Sequence, residues 1–192
     1  MKRVLLFALI SAAVHSGIKA QTTPSTSCTN LSMESPLADV RACADQGDAK
    51  AQLELGFFYA NGYGVPLDNV EAVRLYRLAA DQGNARAQYN LGLMYRNGEG
   101  VSEDDVEAVR WYRLAADQGN ARAQTNLGVM YASGNGVPED DVEAARWFRL
   151  AAAQGHTLAG ENKAIIEKNM TREQIAEGQR MSREWMAQHP PE

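Results

Sequence analysis

Histidine and cysteine are scarce in this sequence, which has three histidines and two cysteines among 192 residues. Only His156 and His189 follow the apolar leader, and neither stands at zinc-ligand spacing from the cysteines. No serine lies in a nucleophile elbow, and the acidic turns SEDD and PEDD lack the alternating ligands of a calcium loop. The sequence therefore predicts a protein that is not an enzyme, with no catalytic residue, no metal site and no cofactor.

Long apolar runs are also missing, because the run over residues 4–14 is too short to span a bilayer. It follows two basic residues and leads through small residues to Ala20, which is the arrangement of a secretory signal. We predict a signal peptide over residues 1–20 and a flexible leader over residues 21–34. The mature chain is expected to be periplasmic or secreted, without stable membrane insertion after signal cleavage.

Positive charge is in deficit. The chain has 19 basic and 24 acidic residues, and loss of the three basic residues in the predicted signal would lower its net charge from −5 to −8. An acidic, exported chain is repelled by phosphate backbones, so we expect no nucleic-acid partner.

Three tandem repeats of 36 residues are present. Residues 78–113 and 114–149 agree at 28 positions without a gap, and residues 42–77 match the middle copy at 22 positions. Each copy shows two helical patterns, and neither has enough apolar surface to stand alone. Stacking of neighbouring repeats must therefore supply the core.

The second helix of each repeat opens with an aspartate followed three residues later by a glutamate, which predicts a capping box. The pairs are Asp68 with Glu71, Asp104 with Glu107, and Asp140 with Glu143. An arginine follows each glutamate by three residues, at Arg74, Arg110 and Arg146, so we also expect local ion pairs.

A glycine-rich stretch, NGYGV, NGEGV or SGNGV, separates the two helices of each repeat. A phosphate-binding loop would follow a strand and carry a lysine or a third glycine, and neither condition is met. The glycines are instead expected to adopt positive φ in a turn, with the valine that follows them as an apolar anchor. Those valines are Val65, Val101 and Val137.

The repeat resembles the Sel-1-like repeat family, which is related to the tetratricopeptide repeats. The middle copy carries the resemblance through Ala87, Gln88, Leu91, Gly92, Tyr95, Gly98, Gly100, Val101, Asp105, Ala108, Trp111, Ala115, Ala116 and Gly119. The resemblance implies an all-α fold, a right-handed α/α solenoid of three complete 36-residue helix-turn-helix repeats with N- and C-terminal capping helices. We assign residues 48–155 to the solenoid.

Both ends of the array are expected to be capped. A capping helix is predicted over residues 35–47, with Ser35 as N-cap and Pro36 as its first helical residue. Residues 156–188 are expected to form a degenerate fourth repeat, with His156 as a cap or an exposed residue, and a closing helix. That closing helix would open with a box between Thr171 and Gln174 and cover the last repeat with Ile175, Met181, Trp185 and Met186.

Cys28 and Cys43 are fifteen positions apart. They could form one disulfide in an oxidising compartment. Alternatively, Cys43 could be a small buried residue, since alanine stands at the equivalent positions of the next two repeats.

A stripe of residues beside the apolar face of each first helix is the candidate binding surface. In tetratricopeptide-like solenoids the first helices line the concave face, so the resemblance places the stripes side by side. Arginines would take carboxylates, asparagines would hydrogen-bond an extended peptide backbone, and Leu93 and Val129 would supply apolar contact. The alternative is a solvated face with local pairs only. The candidate residues are Lys50, Glu54 and Phe57 in the first repeat, Arg86, Asn90 and Leu93 in the second, and Arg122, Asn126 and Val129 in the third.

Resemblance to the family therefore implies a protein–protein interaction module in an adaptor, assembly or signalling-regulator role, with a protein or peptide partner. A second interpretation is a cell-wall or β-lactam hydrolase like some cysteine-rich relatives. Those relatives carry a cysteine pair in each repeat, whereas the three repeats here contain only Cys43. A β-lactam turnover assay on the mature chain distinguishes the two interpretations. The sequence leaves the oligomeric state open.

Overall fold

The structure is a computed structural model that describes Cys28 and residues 34–190. The predicted signal peptide and most of the leader therefore lie outside the described residues. The described part contains nine α-helices and no strand. They are α1 (Leu37–Asp45), α2 (Ala49–Asn61), α3 (Asn69–Asp81), α4 (Ala85–Asn97), α5 (Asp105–Asp117), α6 (Ala121–Ser133), α7 (Asp141–Ala153), α8 (Thr157–Ile166) and α9 (Arg172–Gln188).

The helices pack as consecutive hairpins. Helix α2 pairs with α3, α4 with α5 and α6 with α7, and the second helix of each pair packs on the first helix of the next. Leu91 and Met94 of α4 share one core with Tyr76 of α3 and Trp111 of α5, so the core is continuous from repeat to repeat. The predicted all-α solenoid is confirmed, and the valine anchors behave as expected, with Val65 buried and the other two partly buried.

Side-chain caps define the helix starts. Asn84 accepts the backbone N–H of Ala87, and Asp104 accepts that of Glu107. The predicted return bond from Glu107 to the cap is wrong, because the Asp104 N–H already donates to the carbonyl of Tyr95 at 2.9 Å. The glutamate instead pairs with Arg110, as expected. The same arrangement recurs at Asp68, Glu71 and Arg74 and at Asp140, Glu143 and Arg146.

Two kinds of glycine are required by close packing. The backbone of Gly100 has φ +71°, and a Cβ there would lie 2.2 Å from the carbonyl oxygen of Asn69 in the preceding repeat. Within helix α4, a Cβ on Gly92 would lie 2.6 Å from the ring of Tyr112. The glycine-rich stretch is therefore a turn whose second glycine docks on the previous repeat.

A ladder of glutamines locks neighbouring repeats in register. The buried Gln88 side chain donates to the carbonyl of Ala80 at 3.1 Å and accepts from the Gln118 side chain at 2.7 Å. Both partners lie at the ends of second helices, one before and one after Gln88. Equivalent rungs form at Gln52 with Ala44 and Gln82, and at Gln124 with Ala116 and Gln154.

The first end of the array is tied by a disulfide. Cys28 and Cys43 are bonded, with their Cα atoms 5.7 Å apart, and Cys43 is fully buried on α1. Helix α1 begins one residue later than predicted, with Pro36 rather than Ser35 at the N-cap, because the extended ψ of 133° at Pro36 is not helical.

The other end is closed by α9, which packs on α7. Its capping box at Thr171 and Gln174 is complete. Gly178 lies close to α7, where a Cβ would meet Ala145 at 3.7 Å. Ile175 and Trp185 pack against the core. Met186 is 39% exposed and lines a cavity with Leu150 and Ala153 of α7.

Candidate functional site

The first helices of successive repeats form a common surface, which we call the first-helix face. It comprises the outward side chains of α2, α4, α6 and α8. A cavity of about 480 Å³ lies in this face at the N-terminal ends of α4 and α6. Four of the predicted residues line it together, namely Phe57, Arg86, Asn90 and Arg122. Residues from three different repeats are thus brought to one place.

The two arginines of the cavity differ in their partners. Arg86 lies 3.8 Å from the carboxylate of Glu54, which is buried on α2, and the arginine side chain stays 68% exposed. Arg122 is exposed and forms no ion pair within residues 34–190. Arg86 therefore pairs with a residue of the preceding repeat, and the cavity lining includes two cationic side chains.

Tyrosines lie beneath the asparagines of this face. Burial raises the pKa of Tyr76 above its usual value, and a hydrogen bond from the Asn90 side chain opposes the shift. Burial likewise raises the pKa of Tyr112 to about 12, opposed by Asn126. The Tyr112 hydroxyl is nevertheless buried without a hydrogen bond of good geometry. Since an amide has two donors and two acceptor sites, Asn90 keeps hydrogen-bonding capacity for a ligand while bonded to Tyr76.

Sequence reasoning missed four residues of the cavity, Tyr89, Asn120, Ala121 and His156. Burial raises the pKa of Tyr89, and the charge of Arg122 opposes that shift. His156 stands at the N-cap of α8 but makes no capping bond. Its Nδ1 lies 3.0 Å from the hydroxyl of Thr125, which donates to the carbonyl of Ala121 at 2.8 Å.

The remaining predicted residues do not line this cavity. Lys50 is exposed, and Leu93 and Asn126 are half-buried. Val129 lines a second cavity of about 410 Å³ between α6, α7 and α8, together with Asn162 and Ile165. These two occupy the positions in α8 that Asn126 and Val129 occupy in α6. The 36-residue register could have revealed this fourth stripe, which the loss of the glycine loop in the last unit concealed.

The described residues contain no group of three or more histidine, cysteine, aspartate or glutamate side chains that could hold a metal ion. Among the helices of that same part of the chain, none is long and apolar enough to cross a membrane.

An array of equal helix hairpins with a grooved first-helix face is an α/α solenoid of the helical-repeat class. Residues 49–84, 85–120 and 121–156 each match the Sel1 repeat, and the chain belongs to the Sel1 repeat family. This confirms the resemblance, and Sel1 repeats in general mediate protein interactions.

Two solved structures are similar over most of the chain. A Sel1 repeat protein from Oxalobacter formigenes shares 43% identity with a TM-score of 0.62, and the match covers 67% of this chain and 96% of that one. The protein c5321, a protective antigen of uropathogenic Escherichia coli strains with an SLR fold, shares 30% identity with a TM-score of 0.61. That match covers 79% of this chain but 40% of c5321. Comparison with curated proteins gives no match.

Proposed function

We propose that this chain is an exported adaptor, assembly or regulatory protein that binds an extended protein segment along the first-helix face. The observation that carries the proposal is the cavity in which Phe57, Arg86, Asn90 and Arg122 meet. These side chains supply an apolar surface, an amide that can pair with a peptide backbone, and two cations for acidic side chains.

Charge supports an acidic ligand. The chain as a whole carries a net charge of −5, so two exposed arginines in one cavity are a local reversal of sign. Such complementarity speeds the encounter of acidic segments and disfavours basic ones. The second cavity, between α6, α7 and α8, is lined by Val129, Ile165 and Ile166 but also by Glu139 and Asp141, so it does not favour an acidic ligand.

Export is part of the proposal. Residues 1–20 have the pattern of a secretory signal, and the disulfide between Cys28 and Cys43 is of a kind that persists in oxidising compartments.

The test uses site-specific photocrosslinking in the native cell. A photoreactive phenylalanine derivative at Leu93, on the first-helix face, is expected to capture a defined partner. The same group at Leu114, which is 41% exposed on α5, is the matched control and should capture none. Equal capture at both positions, or capture only at Leu114, would contradict binding at the first-helix face.

Charge reversal then tests the arginines. The double variant Arg86→Glu and Arg122→Glu should lose the crosslinked partner while keeping its helical circular dichroism. Its melting temperature is expected to fall, because the new carboxylate at position 86 lies beside the buried Glu54. Arg74→Glu with Arg110→Glu makes the same change of net charge on the second helices and should retain the partner. Retention by both double variants would remove the arginines from the interaction.

A further inference from the structure

We propose that the cavity between Arg86, Arg122 and His156 is a carboxylate-binding site in which His156 supplies a contact that strengthens as pH falls. The inference rests on the proposed function, since it names the chemistry of the ligand and of one further residue in the same cavity. Comparison of the repeats does not reveal a binding role for His156, because Asn84 and Asn120 at the equivalent positions are ordinary helix caps.

The hydrogen bonds around Thr125 determine which ring nitrogen is left for a ligand. A threonine hydroxyl has one hydrogen, and a carbonyl oxygen can only accept. The Thr125 hydroxyl donates to the carbonyl of Ala121 at 2.8 Å, so its oxygen can only accept from the imidazole nitrogen 3.0 Å away. Nδ1 of His156 therefore carries the hydrogen in the neutral ring, and Nε2 carries none.

Protonation adds a hydrogen at Nε2 without disturbing this anchor. Because Nδ1 is occupied by Thr125 and the side chain lines the cavity, Nε2 is the nitrogen available to a bound molecule. A neutral ring offers Nε2 only as an acceptor, which a carboxylate cannot use. A protonated ring offers a charged N–H donor beside the two guanidinium groups, and that donor forms a charge-assisted hydrogen bond with a carboxylate.

The effect of His156 on pH-dependent binding must be distinguished from the effects of other titratable groups near the cavity. Helix α4 contributes Arg86 and Tyr89, α6 contributes Arg122, and α2 contributes Glu54 behind Arg86. On α8 itself the nearest acidic residue in sequence is Glu161, and α7 ends at the uncharged Gln154. Only Glu54 offers a competing explanation, since its protonation would release Arg86 and also favour an acidic ligand.

The binding experiment uses three peptides titrated into the full mature chain and followed by backbone amide NMR shifts. Acetyl-Leu-Glu-Glu-Leu-amide carries side-chain carboxylates, acetyl-Leu-Gln-Gln-Leu with a free C-terminus carries a terminal carboxylate, and acetyl-Leu-Gln-Gln-Leu-amide carries neither. At least one of the first two is expected to bind about threefold to tenfold more tightly at about pH 5.5 than at about pH 8, where histidine loses its charge. Whichever binds identifies the source of the carboxylate.

The decisive variant is His156→Asn, because asparagine caps α4 and α6 at the equivalent position and should preserve the fold. It is expected to abolish the pH dependence, so that its affinities at about pH 5.5 and about pH 8 are equal. His189→Asn, in the C-terminal segment, and Glu54→Gln should both retain the pH dependence. Long-range imidazole NMR of the free protein should show the Nδ1–H form of neutral His156 in the wild type and its loss in Thr125→Val.

Each result has a clear consequence. A pH dependence that survives in His156→Asn, or that disappears in Glu54→Gln, overturns the role of His156 but leaves the interaction face intact. Equal binding of the neutral peptide overturns the carboxylate chemistry. If no peptide binds the carboxylate site is wrong, whereas the proposed function fails only when the Leu93 crosslink also fails.

Discussion

The second glycine of each turn allows the packing between repeats to be tested with an internal control. Gly64 and Gly100 occupy the same turn position with nearly the same backbone, at φ +70° and +71°. A Cβ on Gly64 would meet only the Leu37 side chain, at an ordinary 3.7 Å, whereas a Cβ on Gly100 would lie 2.2 Å from the Asn69 carbonyl oxygen. An alanine at either position therefore has the same backbone strain, but only the alanine at position 100 clashes with a neighbouring backbone atom.

Magnitudes follow from these two contributions. The left-handed backbone costs an L-residue about 1–2 kcal/mol, so Gly64→Ala should lower the free energy of unfolding by about that amount. Gly100→Ala must also displace a backbone atom by about 1 Å, and overpacking of this kind costs about 1–3 kcal/mol more. Since about 1 kcal/mol shifts the melting temperature of a domain this size by about 2–4 °C, Gly100→Ala should melt about 2–12 °C below Gly64→Ala.

Thermal unfolding followed by far-UV circular dichroism measures the difference directly. The two variants share composition, net charge and turn chemistry, so their denatured states are closely matched. Equal melting temperatures would refute the argument that this glycine is needed for contact with the preceding repeat, and would leave only its backbone conformation as the reason for it.

Three further predictions concern the packing between elements. Gln88→Ala should cost about 1–3 kcal/mol in chemical denaturation because it removes a buried side chain and its two hydrogen bonds, while the exposed Gln46→Ala should cost less than about 0.5 kcal/mol. Tyr112→Phe should raise the free energy of unfolding at neutral pH by about 1–3 kcal/mol, because it removes a hydroxyl that is buried without a partner. Burial raises the pKa of Tyr112 to about 12, so the folded protein favours the protonated hydroxyl. The wild type therefore loses stability as pH rises from about 10 to 12, and Tyr112→Phe should lose less stability over that range. Reduction of the Cys28–Cys43 disulfide should cost about 3 kcal/mol, seen as a fall of roughly 6–12 °C in melting temperature, and an unchanged melt would show that the bond does not stabilise this end of the array.

The repeat made most of the fold predictable. Each copy carries its own caps and apolar spacing, and three copies of one pattern exclude accidental matches. The glutamate half of the capping boxes was not predictable, because the competing partner of the Asp104 N–H is the carbonyl of Tyr95, nine residues earlier. Local spacing does not reveal such a bond.

The candidate site was only partly predictable for a similar reason. Helical periodicity places Arg86 and Asn90 on one face of α4, and the repeat register places Arg122 beside them. It does not place His156, whose side chain lacks the capping bond made by the asparagines at equivalent positions and turns to Thr125. Thr125 replaces the Tyr89 of the preceding repeat, so two departures from the repeat occur at one contact.

The replacement of Tyr89 by Thr125 is one of eight differences between residues 78–113 and 114–149. Two lie in the buried second helix. Val109 becomes Ala145 where α9 brings Gly178 against α7, and Tyr112 becomes Phe148, which removes a hydroxyl that has no partner in the middle repeat.

Four of the other differences lie on the first helices, at Tyr89, Leu93, Arg96 and Asn97 of α4 and their counterparts in α6. The core positions of the same helices, including Leu91 with Leu127 and Met94 with Met130, are unchanged and buried. Two copies of a unit that share their core but differ on one face make the repeats chemically distinct along that face. Packing does not fix these side chains as it fixes the core, so this face is where the repeats are free to differ.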